Sequence, residues 1–355
     1  MGVVLGMSYA EIVIDKIGSV ARPITPGRAI NVSPEMRVAS VGDVVAVRAL
    51  SESVTYGNLE LPSGRLAKVN SGDVLLGVLG ERRALKGFVG EVPNTVAAGD
   101  RLHLLNMGGV IGECKGHHSS LSDAIQVEVV GTACDELGIA LNIGDGALPP
   151  SESLRVNVPI VAVAGSCMNS GKTVAAVEIV RQAVNAGLRV AAAKLTGVAC
   201  LRDTLNMEDH GAFATASFLD CGLPSTVGFD DLAPYAKGIL NHLAALEPEL
   251  IVVELGDGIV GGYGVDTILR DAEIRGAIDS LVFCASDYVG VIGGVEVLKG
   301  YGLPINVVAG SVTDSQMGED FVAERLGLLA GNARRNGKAL FDLVQRSAKT
   351  EVACA

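Results

Sequence analysis

Nine consecutive residues carry the densest chemistry in the chain: Gly165-Ser166-Cys167-Met168-Asn169-Ser170-Gly171-Lys172-Thr173. An apolar run, PIVAVAG (159–165), leads into them, and an amphipathic run, GKTVAAVEIVRQAVNAG (171–187), leads away. Where a buried strand passes into a helix through such a loop, the backbone N–H groups converge on one concavity that stabilises anionic oxygens. Lys172 would bring a mobile positive charge to the β- and γ-phosphates, and the Thr173 hydroxyl would ligate Mg²⁺. Gly165, Ser166, Asn169, Ser170 and Gly171 complete the nucleotide-binding set, with glycine at 171 because the backbone must pass close to a phosphate. Five residues separate Gly165 from Gly171, one more than the general pattern. The chemistry implied is Mg²⁺-dependent binding of a nucleoside triphosphate, with ATP as the expected substrate.

Three further positions fit the same site. Lys194 closes the next apolar run, RVAAAKL, so it would project from the strand's carboxyl end beside the loop and act with Lys172 as a catalytic cation. Glu254 ends LIVVEL and is followed by GDGIVGG. An acid there can hold Mg²⁺, which takes few carboxylates together with phosphates and water. Asp209, in NMEDHGAF, either caps the helix that follows or serves as a further metal-side acid, with Asp203 and Glu208 as rivals. His210 reads as structural, and His117-His118 beside Cys114 as a solvated turn, since residues three and four apart are neighbours only on a helix.

Positioning these residues requires alternating strands and helices. Further buried-strand runs lie at 189–195, 250–255, 280–285 and 305–310, separated by helical stretches near 209–220, 230–246, 264–276, 288–300 and 318–346. That alternation predicts an α/β domain with a doubly wound, mostly parallel sheet over 158–355, its ligand at the carboxyl ends of the strands. Residues 1–148 have another rhythm: short β-type runs, three of them after Gly42-Asp43, Gly72-Asp73 and Gly99-Asp100, which is turn chemistry feeding a strand. They predict a smaller mainly-β domain, barrel or sandwich. Residues 149–157, rich in Pro and Ser, read as a linker.

The segments 159–200 and 250–262 resemble dethiobiotin synthetase and related P-loop ligases. The likeness rests on the stretched loop GSCMNSGKT, the lysine ending the next strand (Lys194), the Asn-x-x-Asp of Asn206 and Asp209, and Val253-Glu254 before a glycine-rich loop. It implies that Lys172 and Lys194 hold phosphates and a carboxylate or carbamate oxygen, and that Thr173, Asp209 and Glu254 hold Mg²⁺. It also implies a homodimer acting on a small-molecule substrate. The reaction would be γ-phosphoryl activation of a carboxylate or carbamate for attack by nitrogen. A nucleotide-dependent switch or accessory protein for cofactor assembly is the alternative. Met168 stands where the family carries a second hydroxyl, Asp257 adds an acid after Glu254, and that enzyme has no β-domain in front. AGSVTDS (309–315) lies where a base-reading loop belongs, and its Asp314 could pair with guanine in principle, but no Asn-Lys-x-Asp is present; the expectation drawn is adenine.

Composition narrows the partners. A net charge of −12 with no basic cluster argues against nucleic acid. No apolar run approaches the 20 residues or so of a membrane span. Seven scattered cysteines (114, 134, 167, 200, 221, 284 and 354) without a CxxC pair, and an opening segment unlike a signal peptide, predict a cytoplasmic protein.

Overall fold

The computed structural model describes residues 9–352, with side chains to residue 348. The opening segment through Ser8 and Cys354, both weighed above, lie outside the described residues. The chain forms two compact units. The first runs up to Leu148 and includes Val198–Leu201 and Leu219–Val227; the second holds Pro149–Gly197, Arg202–Phe218 and the chain from Gly228 on.

The first unit is built on a mixed sheet that closes on itself. Strand Val44–Ala49 pairs antiparallel with Val74–Leu79, which runs parallel to Val110–His117. That strand meets Arg101–Leu104, which meets Gln126–Cys134, which returns to Val44–Ala49. Of the two forms expected, the pairing is that of a barrel. Alternate residues point inward, as the two-residue repeat of a strand requires, and Val45, Val47, Leu75, Leu79, Leu104 and Val127 fill the interior. Each Gly-Asp pair makes the same turn. Gly42, Gly72 and Gly99 have φ of 91°, 93° and 92°, a region costly for residues with a Cβ. The next aspartate folds its carboxylate back onto the N–H three residues earlier: Asp43 to Ser40 at 2.9 Å, Asp73 to Asn70 at 2.6 Å and Asp100 to Ala97 at 2.8 Å.

The second unit is a seven-stranded sheet with β1 (Ile160–Gly165), β2 (Val190–Thr196), β3 (Ala214–Ser217), β4 (Leu250–Leu255), β5 (Ile278–Cys284), β6 (Val307–Ala309) and β7 (Leu329–Ala330). Their order is β3-β2-β4-β1-β5-β6-β7, and every pairing is parallel. Helices α1 (Lys172–Asn185), α2 (Arg202–Asp209), α3 (Ala233–Ala244), α4 (Val265–Arg270), α5 (Ala272–Ala277), α6 (Tyr288–Gly300), α7 (Gln316–Leu326) and α8 (Ala333–Val352) connect them.

Two element expectations are corrected. The stretch 209–220 is not an α-helix: α2 ends at Asp209, the small residues Ala214–Ser217 form edge strand β3, and Phe218–Cys221 makes a single 3-10 turn. The stretch 318–346 is two helices with β7 between them. The apolar face of α1 is carried by alanines as much as by valines. Ala175, Ala176, Val177, Ile179, Val180 and Ala183 are buried against Val161, Val163 and Val252 of the sheet and Leu340 and Phe341 of α8, whereas Val174 is 37% exposed. Alanine counts weakly in a hydrophobic pattern, yet it lets helix and sheet approach closely.

Candidate nucleotide site

β1 and α1 bring the phosphate loop together at the centre of the sheet, where β1 lies between β4 and β5. The loop is glycine-dependent at both ends. A Cβ on Gly165 would stand 2.5 Å from Ser170 Oγ and 2.7 Å from the Cys284 carbonyl oxygen. Gly171 has φ 106°, and a Cβ there would meet Gly310 Cα at 2.9 Å. Between them Asn169 takes the left-handed conformation, φ 65°, which asparagine tolerates better than most residues. Such a turn aligns successive N–H groups into a concavity for an anion.

Lys172, the first residue of α1, is buried, and its ammonium donates to the Cys167 carbonyl at 2.8 Å. Burial holds this ammonium below its ordinary pKa. Glu254 pulls it back up, and Lys194 adds to the fall. The neighbouring Thr173 hydroxyl donates to Glu254 Oε1 at 2.8 Å. Glu254 is 2% exposed, and its other oxygen, Oε2, has no hydrogen-bond partner; nor has the buried Ser170 Oγ. An unpaired buried oxygen costs about 1–3 kcal/mol. Two of them around one phosphate loop suit a cation at Glu254 and a phosphate at Ser170. The Thr173–Glu254 pair therefore fits Mg²⁺, which demands few protein oxygens.

Parallel pairing sets Lys194 of β2 beside Glu254 of β4. The Lys194 ammonium bonds to the Asp203 carboxylate, which is 4% exposed in the first turn of α2. Asp203 is therefore the acid brought to this site. The expectation for Asp209 is corrected: it ends α2 rather than starting a helix, and it is exposed, as is Glu208. Nothing joins Asp209 to Thr173 or Glu254. His210 bonds to the Asn206 carbonyl at 2.8 Å, a role within the helix end.

The loop after β4 lies against the phosphate loop. Ile259 donates to the Gly165 carbonyl at 3.0 Å, and a Cβ on Gly258 would stand 2.5 Å from the Ser166 carbonyl oxygen. Asp257 sits in this loop with φ 65°, and burial pushes its carboxyl up despite the pull of Lys172. Burial also raises the Cys284 thiol to about 12, so it stays protonated behind the site. In the first unit, His117 bonds to Asp123 at 3.1 Å and His118 to Ser120 at 2.8 Å. Among the described residues no group of three or more His, Cys, Asp or Glu side chains forms a metal cluster.

A cleft next to the phosphate loop was only half legible in the sequence. Gly171, Val174, Gly310, Asp314, Asn332 and Arg334 line it. Asp314 belongs to the expected base loop, but Asn332 was not singled out. Its signal was an asparagine directly before a helix, the position of a cap: Asn332 Oδ1 accepts the N–H groups of Arg334 at 2.9 Å and Arg335 at 2.7 Å.

No protein-family model matches the chain, and no curated protein does. Among solved structures it is similar to a DUF1611 family protein from Anabaena variabilis, at 16% identity over 56% of this chain and 63% of that one, TM-score 0.40. It is also similar to the cell division protein FtsY of Thermotoga maritima (14% identity, 56% and 70% covered, TM-score 0.37). A third likeness is to the signal recognition particle 54 kDa protein of Aeropyrum pernix, solved with GDP (19% identity, 59% and 53% covered, TM-score 0.36). The chain thus spans less than two thirds of the first of these. At such scores none of the likenesses carries an argument, and none of the three is a dethiobiotin synthetase. The site stands on its own geometry: a parallel strand, a phosphate loop and a helix, in the arrangement of P-loop nucleotide-binding proteins. No helix among the described residues is long and apolar enough to cross a membrane.

Proposed function

We propose that the second unit binds a nucleoside triphosphate with Mg²⁺ and transfers its γ-phosphoryl group to a small carboxylate or carbamate. The acceptor oxygen would form the new bond to the γ-phosphorus as the bond to the β-phosphate oxygen breaks, leaving a nucleoside diphosphate. The mixed anhydride is then open to a nitrogen nucleophile. The observation that carries this reading is the second lysine. Parallel pairing of β2 with β4 sets Lys194 beside Glu254, and the buried Asp203 braces it. A second lysine at the end of the next strand gives an acceptor oxygen a cation of its own, for which simple hydrolysis has no use.

Loop amides and Lys172 would hold the β- and γ-phosphates, and Lys194 would orient the acceptor, so that catalysis rests on positioning and charge neutralisation. Mg²⁺, held by Thr173 and Glu254, would supply charge neutralisation on the phosphate oxygens. The test is trapping of the acyl phosphate by hydroxylamine, with bicarbonate and small mono- and dicarboxylates as acceptor probes. Lys172→Ala is expected to lose nucleotide binding and hydroxamate together. Lys194→Ala should keep nucleotide affinity within about threefold, well under the 1.4 kcal/mol of a tenfold change, and lose hydroxamate. Acceptor-dependent turnover that survives Lys194→Ala intact would sink the proposal.

A second reading, a nucleotide-dependent switch, is favoured by one observation. Val198–Leu201, the link from β2 to α2, belongs to the barrel unit. There the buried Glu60 carboxylate accepts from the Leu201 N–H at 2.7 Å and the Cys200 thiol at 3.1 Å, and Asn106 Nδ2 donates to the Ala199 carbonyl at 2.9 Å. A shift of Lys194 on nucleotide exchange would reach this segment along the chain. The switch expects nucleotide-dependent hydrogen exchange at 198–201 without any acceptor-dependent turnover. The homodimer remains part of the proposal, to be checked by light scattering with and without nucleotide.

A further inference from the structure

We infer that Asp257 receives the nitrogen nucleophile as an ammonium ion and takes a proton from it, so that the second substrate is a small amine that is cationic in water. This rests on the phosphoryl-transfer reading above and names the class of nucleophile which that reading left open. Lys172, Lys194, Thr173 and Glu254 are all engaged in that reading, and Asp257 is not.

Asp257 stands between two glycines, each pressed against one side of the site. A Cβ on Gly256 would lie 2.2 Å from the Thr196 carbonyl oxygen and 3.2 Å from Lys194 Cε. A Cβ on Gly258 would lie 3.1 Å from Cys167 Cα in the phosphate loop. The segment thus spans from the lysine that orients the acceptor to the loop that holds the phosphates. Asp257 Oδ2 turns back over Gly261, where an added Cβ would lie 2.2 Å from it. Residue 257 takes φ 65°, where only glycine escapes a steric penalty, and positions 256, 258, 261 and 262 are all glycine. The carboxylate at 257 is therefore carried against the preference of its own backbone.

Among the described residues no cationic side chain pairs with this carboxylate; Lys172 attracts it without touching it. Lys172 donates to the Cys167 carbonyl, and Lys194 is paired with Asp203. A triphosphate on the loop would repel Asp257 unless a further cation arrived beside it. Mg²⁺ already has its place at Thr173 and Glu254. The nucleophile is the reactant that arrives positive, since a primary amine stays an ammonium up to about pH 10. An ammonium is donor-only and an ionised carboxylate acceptor-only, so the two are complementary. Burial pushes the Asp257 carboxyl up against the pull of Lys172 and of the Gly258 N–H, which suits a base that must accept a proton near neutral pH. Asp257 takes one proton from the ammonium. The freed lone pair forms the C–N bond at the acyl carbon as the C–O bond to the phosphate breaks. The second nitrogen proton leaves with the phosphate as hydrogen phosphate, and Asp257 returns its own to water.

Two nucleophiles separate the steps, because hydroxylamine is uncharged at neutral pH and needs no such base, whereas ammonium and methylammonium do. The full chain is given nucleoside triphosphate, Mg²⁺, each acceptor probe in turn and one nucleophile, and the products are quantified by mass spectrometry. Asp257→Asn is expected to lower the ratio of amide to hydroxamate at least about a hundredfold, the lower end of what a positioned base contributes. Its remaining amide rate should rise about tenfold per pH unit, following the fraction of free amine, while the parent's rises less steeply. Asp257→Gly suits the backbone at φ 65° and should do the same, which separates loss of the carboxylate from loss of the fold. A ratio unchanged in both variants overturns the inference and leaves phosphoryl transfer standing, as does a parent that makes hydroxamate but no amide. A weakened Mg²⁺ requirement with the ratio unchanged overturns it too and assigns the acid to a second metal ion. No hydroxamate from any acceptor in the parent overturns the phosphoryl-transfer reading itself, and the inference with it.

Discussion

Glu254 has one carboxylate oxygen committed to Thr173 and one without a partner. Replacing it with glutamine keeps an oxygen for Thr173 and removes the charge a cation needs. Glu254→Gln is therefore expected to abolish the Mg²⁺ enhancement of nucleotide binding, a loss of tenfold or more, while Mg²⁺-free affinity moves less than threefold; a tenfold change corresponds to about 1.4 kcal/mol. Paired titrations with and without Mg²⁺ would show it, and an unchanged enhancement would remove Glu254 from the metal set. At this scale much of the site was legible, because Lys194 and Glu254 sit where apolar runs end, Lys172 opens the helix after one, and side chains at strand ends converge. Asp203 was not chosen over Asp209. The Asn-x-x-Asp spacing drew attention to the end of α2, whereas what matters is that the first turn of α2 faces Lys194. Spacing along a chain says which residues share a helix; it does not say which end of the helix points at the site.

Elements show the same division. Gly-Asp before an apolar run read correctly as a turn, since the positive φ and the back-folded carboxylate are local chemistry. β3 was missed because four small residues, ATAS, carry little hydrophobic signal, and its edge position in the sheet is a tertiary fact. Short helices expose another local device. Asp271 caps α5 by accepting from Glu273 and Ile274, and its second oxygen pairs with the buried Lys237 at 2.8 Å. Burial pushes the Asp271 carboxyl up, but Lys237 and the cap N–H groups outweigh it and hold it below 3.8. A depressed folded pKa means stability that is present above 3.8 and lost as pH falls through the lower folded value. Asp271→Ala should cost about 1–2 kcal/mol at neutral pH. The gap from the parent should narrow as pH falls below 3.8. Urea melts at pH 7 and pH 3 check this, and a gap independent of pH would mean that the lost cap charge plays no part.

At the scale of the molecule, the first unit is not a continuous stretch of sequence. Its barrel is built before Leu148, yet it includes Val198–Leu201 and Leu219–Val227, which the chain supplies from within the second unit's sequence. No local pattern announces this, because Glu60 and Leu201 stand 141 positions apart. The composition shift near residue 148 marked a change of rhythm, and spatial membership follows a different line. A fragment ending at Leu148 would leave the Glu60 carboxylate, 1% exposed in the whole chain, with the Ser19 hydroxyl but without the Leu201 N–H and the Cys200 thiol. Stranding buried polar groups costs about 1–3 kcal/mol each, more for a charge. The fragment is expected to melt at least about 5 °C below the whole chain or to lack a cooperative transition, whereas Glu60→Leu in the fragment should recover part of the loss. Circular dichroism melts of the three proteins test it, and a fragment as stable as the whole chain would show that the added segments contribute nothing.

That discontinuity also sets a clock. A ribosome must deliver residues 149 to 227 before the barrel has all of its own segments. At about 5–20 residues per second that is a wait of roughly 4–16 s. Throughout this interval the early strands are already synthesised while Glu60 still lacks its Leu201 and Cys200 donors, so the barrel completes its core only after much of the second unit's sequence has been made.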